Sequence, residues 1–386
     1  MNLKESTKSN RFEKIIFKYS NIFAFFKIAG LWILLSIFFL IPIELISYLV
    51  LLKNNSDNEW HYNVTPDINA KKYIQQTDSI PTEYFPYLGY RRKGAFKGKY
   101  VNIDEKSIRI TSNPCRDESE IRIFMMGGST IWGTGSRDSF TIPSQLSKYL
   151  CNENISAEVI NYGESGYTNT QEMIKFMLEL REGNVPDILI FYDGVNEVFS
   201  AFQNKTAGYP QNLSHRRTEY GLRNEFNIIK PLLSKTNTGK ILQKISDRIK
   251  LNNDNIDSLE YIEKEIADIY LENIELIQTW ADRYDITVFF FWQPTVFTKK
   301  KLTKSEMSII ARENKDLKKL FQNTYDYVRL CEGLPANFTN LDSCLNNTSE
   351  GLYIDFCHVT EKGNRFIAEE MLKIILPKLK ETKVLK

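Results

Sequence analysis

From residue 120 onward, short apolar runs alternate with longer amphipathic stretches, and this alternation constrains the fold more than any other feature. The apolar runs predict strands at residues 121–126, 158–162, 187–192 and 286–292. The amphipathic stretches predict helices at residues 140–151, 170–182, 256–284, 304–323 and 360–379. Strands that alternate with helices form βαβ units, whose parallel strands pair in a sheet covered on both faces. The sequence therefore predicts an α/β domain over residues 119–386.

An apolar run at residues 28–52 predicts a single transmembrane anchor. It is long enough to cross a bilayer. Its two imperfections, Pro42 and Glu44, lie toward its far end. A buried helix is rarely apolar all round over this length, and no small-residue cleavage site follows the run as in a signal peptide. Basic residues predominate in the tail at residues 1–27, which places the N-terminus in the cytoplasm and the chain from about residue 55 outside it.

Two further segments differ in composition from the α/β domain. Residues 53–118 mix Asn, Asp, Pro and aromatic residues, and we expect an extracytoplasmic spacer that packs on the domain. An insertion at about residues 200–254 is rich in Asn, Lys and Arg and has weak periodicity. Long irregular segments inside a compact fold are usually lids or mobile loops. Its basic residues favour a solvent-facing loop over an anion-binding lid.

Charge and cysteine content exclude several classes of function. The 50 Lys and Arg residues nearly balance the 48 Asp and Glu residues, so no overall field favours nucleic acid. The five cysteines match no common zinc-binding spacing, and we expect neither a metal nor an organic cofactor. Outside the cytoplasm, Cys331 and Cys344 are able to close a short loop as a disulfide. Buried free thiols are the alternative.

The residues that follow the predicted strands include several that carry chemistry. Ser129 follows the first strand on a glycine-rich turn, which presents a hydroxyl ahead of a helix. Residues 161–167 and 193–197 follow the second and third strands, and residues 355–358 precede the last helix. Ligands of α/β sheets bind at the carboxyl ends of the strands. We therefore expect these segments to meet at one edge of the sheet.

His358 is the base that we expect to act on Ser129. Of the three histidines, His61 lies in the spacer and His215 in the insertion, whereas His358 precedes the last predicted helix. A serine hydroxyl is a weak nucleophile unless a base takes its proton, which an imidazole does near neutral pH. In a tight turn, Asp355 can reach the imidazole Nδ1 and leave Nε2 facing the serine. The predicted catalytic residues are Ser129, Asp355 and His358.

Acyl transfer also requires hydrogen-bond donors for the oxyanion of its tetrahedral intermediate. The expected oxyanion hole consists of the Ser129 N–H, the Gly166 N–H and the Asn196 side-chain amide. Each has a structural alternative, because Gly166 can be an ordinary turn residue and Asn196 a helix cap.

Four separated segments resemble, in order and spacing, the sequence blocks of the SGNH (GDSL-like) hydrolase superfamily. They are residues 127–130, residues 161–166, residues 194–197 and the Asp355-x-x-His358 motif. The resemblance covers about residues 120–380. It implies a flavodoxin-like three-layer α/β/α sandwich with a short parallel sheet. It also implies that Ser129 is the nucleophile, that His358 is the base and that Asp355 orients it.

The resemblance also bears on the oxyanion hole. It implies Gly166 and Asn196 as donors, with Gly163 as a rival to Gly166, whose offset from Asn161 looks like the spacing of the family's second block. The family often has Gly-Asp-Ser where this chain has Gly-Gly-Ser at residues 127–129. That aspartate is not the carboxylate that orients the base, so its absence leaves the triad intact.

These observations predict a membrane-anchored, extracytoplasmic serine esterase that acts on O-acyl esters, O-acetyl esters among them. Surface glycans or lipids are the expected substrates, because the anchor holds the site near them. An acyltransferase that uses the same triad on a glycan is the first alternative, since the two differ in what excludes water. A non-catalytic glycan-binding or assembly protein is the second.

Overall fold

The computed structural model describes residues 27–51, 70–116, 121–213, 235–242, 245 and 261–384. Two compact units divide the chain, one of residues 1–59 and 219–254 and the other of residues 60–218 and 255–386. In the first unit, helix α1 (Lys27–Leu51) is long and apolar enough to span a membrane, and most of its side chains are exposed.

The second unit is built around one parallel sheet. Its strands are β5 (Ile121–Gly127), β6 (Ala157–Asn161), β7 (Ile188–Asp193), β8 (Thr287–Trp292) and β9 (Phe338–Asn340), in the spatial order β6-β5-β7-β8-β9. Four two-residue strands precede it and pair as two antiparallel ladders: β1 (Thr82–Glu83), β2 (Arg91–Arg92), β3 (Phe96–Lys97) and β4 (Asn102–Ile103). All neighbouring strands of the large sheet run parallel, and Ile123 of β5 pairs with Val159 on one side and Ile188 on the other.

Helices cover both faces of this sheet. The helices described in this unit are α2 (Ala70–Asp78), α3 (Ser129–Trp132), α4 (Ile142–Asn152), α5 (Asn169–Arg181), α6 (Val195–Asn204), α7 (Ile262–Arg283), α8 (Lys304–Arg312), α9 (Lys315–Leu330) and α10 (Glu361–Val384). Successive strand residues point to opposite faces, yet residues 123–126 of β5 are all fully buried. Helix α4 packs against α10, and α7 packs against α5, α6 and α9. The strand order is that of flavodoxin-like folds, and the predicted α/β/α architecture is confirmed.

Three elements differ from their predicted form. The predicted helix at 304–323 is two helices, because the Asn314 side chain accepts hydrogen bonds from the N–H groups of Asp316 and Leu317 and so starts α9. Strand β9 was not predicted, since its three residues are all only half-buried. Helix α6 extends to Asn204, inside the predicted insertion, and residues 214–234, 243–244 and 246–254 of that insertion lie outside the described residues. So do residues 256–260 of the predicted helix at 256–284.

The segment 70–116 packs on the α/β domain through a small apolar cluster. Tyr73, Tyr100 and Ile103 are buried there together with Trp132 of α3. Arg109 pairs with Asn161 of β6 in an isolated antiparallel bridge. This part of the chain therefore reaches both the edge of the sheet and the helix that begins at Ser129.

The disulfide of this chain joins Cys115 to Cys151, whose Cα atoms are 5.6 Å apart. Of the two alternatives for Cys331 and Cys344, a disulfide or free thiols, the structure shows free thiols, and Cys357 is also free. Residue 115 belongs to the segment before β5 and residue 151 to α4, so the pairing depends on tertiary contact. Sequence spacing carries no information about such a pair.

We expect replacement of both Cys115 and Cys151 by serine to lower the free energy of unfolding. A cross-link with a sequence separation of 36 residues lowers the entropy of the unfolded chain and so raises its free energy by about 3–4 kcal/mol in the chain-entropy model. Urea denaturation of the full chain in detergent measures the change, and Cys331→Ser, which removes a free thiol, is the matched control. Equal unfolding midpoints for the double variant and the wild type would contradict a structural role for the bridge.

Candidate active site

Ser129 is the first residue of α3 and follows β5 with one residue between them. Two glycines make this abrupt change of direction possible. A Cβ at Gly127 would overlap the Ile131 side chain, and a Cβ at Gly128 would overlap the side-chain nitrogen of Asn196. A glycine at position 128 therefore allows the Asn196 amide to lie directly against the backbone beside the serine.

Three of the predicted site residues form one chain of hydrogen bonds. The Ser129 Oγ lies 2.6 Å from Nε2 of His358. The other ring nitrogen of His358, Nδ1, lies 2.6 Å from Oδ2 of Asp355. The two outer residues are joined only through the imidazole, which is the arrangement needed to move a proton from the hydroxyl to a base held in one orientation.

The turn at residues 355–358 fixes the Asp355 carboxylate. Its Oδ1 accepts hydrogen bonds from the backbone N–H groups of Cys357, at 2.9 Å, and of His358, at 2.7 Å. Burial alone would raise the pKa of Asp355, but the facing imidazole and these hydrogen bonds outweigh it and hold the pKa below its ordinary value. The carboxylate is therefore ionised and aimed at Nδ1.

The three predicted oxyanion-hole residues line one cavity of about 420 Å³ together with His358 and Asp355. Gly166 has a φ of +76°, a left-handed conformation that favours glycine. Gly163 is not among the described residues that line this cavity, and its N–H donates to the Asn161 side chain. The structure thus brings Gly166, rather than Gly163, to the cavity that contains Ser129.

The orientation of the Asn196 side chain is fixed by two hydrogen bonds. Its Nδ2 donates to the Tyr167 carbonyl at 2.6 Å, and its Oδ1 accepts from Nε2 of Gln211 at 2.9 Å. One N–H of the amide donates to the carbonyl, and the second has no acceptor among the described residues. Gln211 also lines the cavity, yet the sequence gives no signal for it, since it is one polar residue in a loop.

We expect Gln211→Leu to lower kcat for ester hydrolysis about tenfold, because loss of one oxyanion-hole donor costs up to 10²–10³-fold and Asn196 would here be misoriented rather than removed. KM for a small ester should change much less, because a donor of the predicted oxyanion hole would act on the oxyanion rather than on the ground-state ester. Steady-state kinetics measure both quantities, and Gln211→Glu, which offers no N–H to Asn196, should behave like the leucine variant. An unchanged kcat in both variants would rule out this positioning role.

Two walls of different chemistry enclose the cavity. Helix α2 contributes Tyr73, Ile74 and Thr77 to one wall, so the segment before the α/β domain takes part in the site. Phe199 and Phe356 contribute aromatic rings, stacked with centroids 5.9 Å apart. The sequence analysis singled out neither wall.

Arg109 supports the short helix that carries Ser129. Its side chain is 1% exposed, and its guanidinium donates to the carbonyls of Trp132 at 2.7 Å, Gly133 at 2.8 Å and Ser136 at 2.6 Å. The last carbonyl groups of a helix have no partner within it. Arg109 satisfies these groups at the end of α3 and thereby fixes the position of the serine.

Two buried carboxyl groups, Asp193 and Glu172, lie near the half-buried Glu197 of α6. Glu197 accepts hydrogen bonds at 2.6 Å from the backbone N–H groups of Gly194 and Asn169, which ties α6 to the start of α5. Asp193 accepts from the Asn169 side chain at 2.8 Å and from the Tyr270 hydroxyl at 3.3 Å. Burial, and then the nearby Glu197 charge, raise the pKa of Asp193 to about 8. Burial also raises the pKa of Glu172 well above its ordinary value.

We expect the free energy of unfolding to fall with rising pH because of Asp193 in this cluster. Between the ordinary Asp pKa of 3.8 and about 8, the unfolded chain has released the Asp193 proton that the folded protein keeps, so each rise in pH favours unfolding. In Asp193→Asn the amide oxygen can still accept hydrogen bonds from Asn169 and Tyr270. Because asparagine does not titrate, the part of the pH dependence that comes from Asp193 disappears. Urea denaturation from pH 5 to pH 8 should show the free energy of unfolding of the wild type falling relative to that of the variant. Parallel profiles would contradict the raised pKa.

Among the described residues, Asp355, Cys357 and His358 form a group whose ligand atoms lie within 4.8 Å of one another. These atoms are suited to proton transfer rather than to metal binding. Both ring nitrogens of His358 already face partners, Asp355 and Ser129. Burial raises the pKa of the Cys357 thiol well above its ordinary value, which disfavours the thiolate that a metal would require.

Comparison with known proteins identifies the family. The profile described as GDSL-like Lipase/Acylhydrolase matches residues 123–371, well over half of the chain. None of the curated proteins matches this chain. Similar solved structures include an acetyl xylan esterase, AlAXEase (13% identity, 66% of this chain and 98% of that one, TM-score 0.34). Others are the lipase Lip_vut3 from a goat rumen metagenome (12%, 66% and 97%, TM-score 0.39) and a carbohydrate acetylesterase family member from Sinorhizobium meliloti (14%, 66% and 97%, TM-score 0.34).

By the family match, this chain belongs to the GDSL-like lipase/acylhydrolase family and is an ester hydrolase of the SGNH type.

Proposed function

We propose that this protein is a membrane-anchored serine esterase that hydrolyses O-acyl esters, O-acetyl esters among them, on surface glycans or lipids. The observation that carries the proposal is the continuous hydrogen-bond chain from the Ser129 hydroxyl through His358 to Asp355. The family match supports ester hydrolysis, and the substrate class rests on the anchor and the cavity.

The first half of the reaction forms an acyl-serine. The Ser129 Oγ attacks the ester carbonyl carbon while its proton passes to Nε2 of His358, 2.6 Å away. The ionised Asp355 holds Nδ1 protonated, which leaves Nε2 free to accept, and it stabilises the imidazolium that forms. The bond to the alcohol then breaks, and Nε2 returns the proton to the departing alkoxide.

The oxyanion hole acts on the charge that develops during attack. The Ser129 and Gly166 N–H groups and the second N–H of the Asn196 amide stabilise the carbonyl oxygen as it becomes an oxyanion. Each such donor in a site shielded from water is typically worth about 3 kcal/mol of the barrier. The hydrogen bonds of Asn196 to Tyr167 and Gln211 set this geometry before the substrate arrives.

Water completes the reaction by the same relay. His358 takes a proton from a water molecule, the resulting hydroxide attacks the acyl carbon, and Ser129 leaves as its protonated hydroxyl. The lining of the cavity combines the aromatic rings of Phe199 and Phe356 with side chains of α2, which suits a substrate with a hydrocarbon part and a hydroxyl-bearing part.

Two features support a site outside the cytoplasm. Basic residues precede α1, which by the positive-inside rule places the N-terminus in the cytoplasm. The Cys115–Cys151 disulfide fits an oxidising compartment. In this orientation α1 spans the membrane once, and the α/β domain faces surface glycans and lipids.

A panel of acetyl, butyryl and longer-chain esters, with the full chain in detergent, tests the proposal. We expect acyl release that requires Ser129, and release of acetate from an acetylated glycan. Release of no acid, with transfer of the acyl group to an added glycan, would identify an acyltransferase instead. Neither release nor transfer with any ester would contradict the proposal.

A further inference from the structure

Glu44 is the only charged residue in the apolar run 28–52. The side chains around it on α1 are apolar and mostly exposed, as suits a helix that faces lipid. An ionisable group on such a helix is costly in hydrocarbon and generally has a specific partner. The structure shows that partner within the same compact unit of the chain.

The Glu44 carboxylate holds the beginning of a short helical segment at residues 237–242. It accepts hydrogen bonds from the backbone N–H of Asn237, from the backbone N–H of Thr238 at 3.0 Å and from the Thr238 hydroxyl at 2.9 Å. Ser47, one turn further along α1, is only 7% exposed, and its Oγ lies 3.1 Å from the Thr238 hydroxyl. Four polar contacts therefore dock this segment on the anchor.

The position of Glu44 along α1 gives the depth of the docked segment. It lies 17 residues after Lys27, which at about 1.5 Å per residue is about 26 Å along the helix. The hydrocarbon core of a bilayer is about 30 Å thick. With Lys27 at one edge of that core, Glu44 lies just inside the opposite edge, and the segment bonded to it lies at the same level.

The side chains of the segment suit that level. Leu242 and Ile245 are apolar, yet 61% and 48% exposed, while Lys235 and Lys240 are also exposed. Leucine and isoleucine beside lysine are typical of segments that lie in a membrane interface, with apolar groups in the acyl-chain boundary and ammonium groups among the headgroups.

We propose that residues 235–242 and 245 belong to a second membrane-contacting element, docked on α1 through Glu44, whose Leu242 and Ile245 enter the phospholipid leaflet opposite Lys27. This inference rests on the proposed membrane anchoring by α1. It gives part of the insertion between β7 and β8 a lipid partner, where the sequence analysis favoured a solvent-facing loop. We identify the bilayer as the partner of this segment from two observations, the depth of Glu44 along α1 and the exposure of Leu242 and Ile245.

Photolabelling of the full chain in phosphatidylcholine vesicles with an apolar diazirine, followed by peptide mass spectrometry, tests the proposal. We expect label in residues 28–51 and in residues 235–245, above the level at Leu330, which is 82% exposed in the other unit. Label in 28–51 with only the Leu330 level in 235–245 would overturn the inference and leave the anchor intact. Absence of label from both would refute the anchoring itself.

A pair of variants tests the role of the carboxylate. Glu44→Leu keeps α1 apolar but removes the acceptor, and we expect label in 235–245 to fall about tenfold, because hydrogen bonds to a carboxylate are strong and the released segment leaves the lipid. Ser36→Ala is the matched control, since the Ser36 hydroxyl bonds only to the Trp32 carbonyl of its own helix. Unchanged label in Glu44→Leu would contradict docking through this residue.

Discussion

Ser129→Ala will abolish ester hydrolysis, with kcat lower by about 10⁵–10⁶-fold, the loss seen when the nucleophile of a serine hydrolase is removed. In the proposed mechanism this hydroxyl forms the acyl bond, and its oxygen lies 2.6 Å from Nε2 of His358 in the cavity. The fold should persist, because the Ser129 backbone groups, and not its Oγ, begin α3. Hydrolysis of a chromogenic acetyl ester measures the loss, and the urea midpoint checks the fold.

Ser165→Ala is the matched control for this variant. Ser165 also lines the cavity, but no hydrogen bond joins its hydroxyl to His358 in the described structure. We expect its kcat to stay within about threefold of wild type, as for substitutions that remove no interaction with the reacting atoms. Comparable activity in Ser129→Ala and Ser165→Ala would end the assignment of Ser129 as nucleophile.

Asp355→Asn should reduce kcat by about 10³–10⁴-fold while leaving KM nearly unchanged. An asparagine at this position can present its N–H₂ group to Nδ1 of His358, which then accepts a hydrogen bond and leaves the proton on Nε2. A protonated Nε2 in neutral imidazole cannot take the Ser129 proton. The loss thus comes from the wrong tautomer and not from a disturbed fold.

Asp78→Asn provides the control, because Asp78 is a second carboxylate that lines the same cavity and is exposed. It should retain nearly full kcat. If Asp355→Asn and Asp78→Asn have the same modest effect, the orienting role belongs to neither, and the interpretation of the relay is wrong. Calorimetric or urea unfolding of both variants separates catalytic from structural loss.

Local pattern was sufficient to predict most of the sheet. Strands β5, β7 and β8 are runs of apolar residues, and burial on both faces is what makes such runs continuous. Strand β9 escapes this logic because Phe338–Asn340 is short and half-buried, and pairs only with β8. The division between α8 and α9 depends on a single cap at Asn314, which a periodic pattern does not reveal.

The candidate site was predictable where residues follow strands and not where they reach the site from elsewhere. Ser129 begins α3 just after β5, His358 lies just before the last helix, and the structure brings their side chains within 2.6 Å. Gln211 and Tyr73 reach the cavity from a loop and from α2, where neither periodicity nor spacing distinguishes them. The sequence does not distinguish Arg109 either, because its support of α3 is visible only in its burial and its hydrogen bonds to the Trp132 and Gly133 carbonyls. The catalytic and oxyanion roles themselves remain predictions.

Covalent labelling by a fluorophosphonate is the most direct test that one activated serine carries the reaction. We predict one adduct per chain, mapped by peptide mass spectrometry to Ser129, and none at Ser129 after His358→Ala within the time that saturates the wild type. An adduct at another serine, or no adduct with a chain that still hydrolyses esters, would contradict the Ser129–His358 relay.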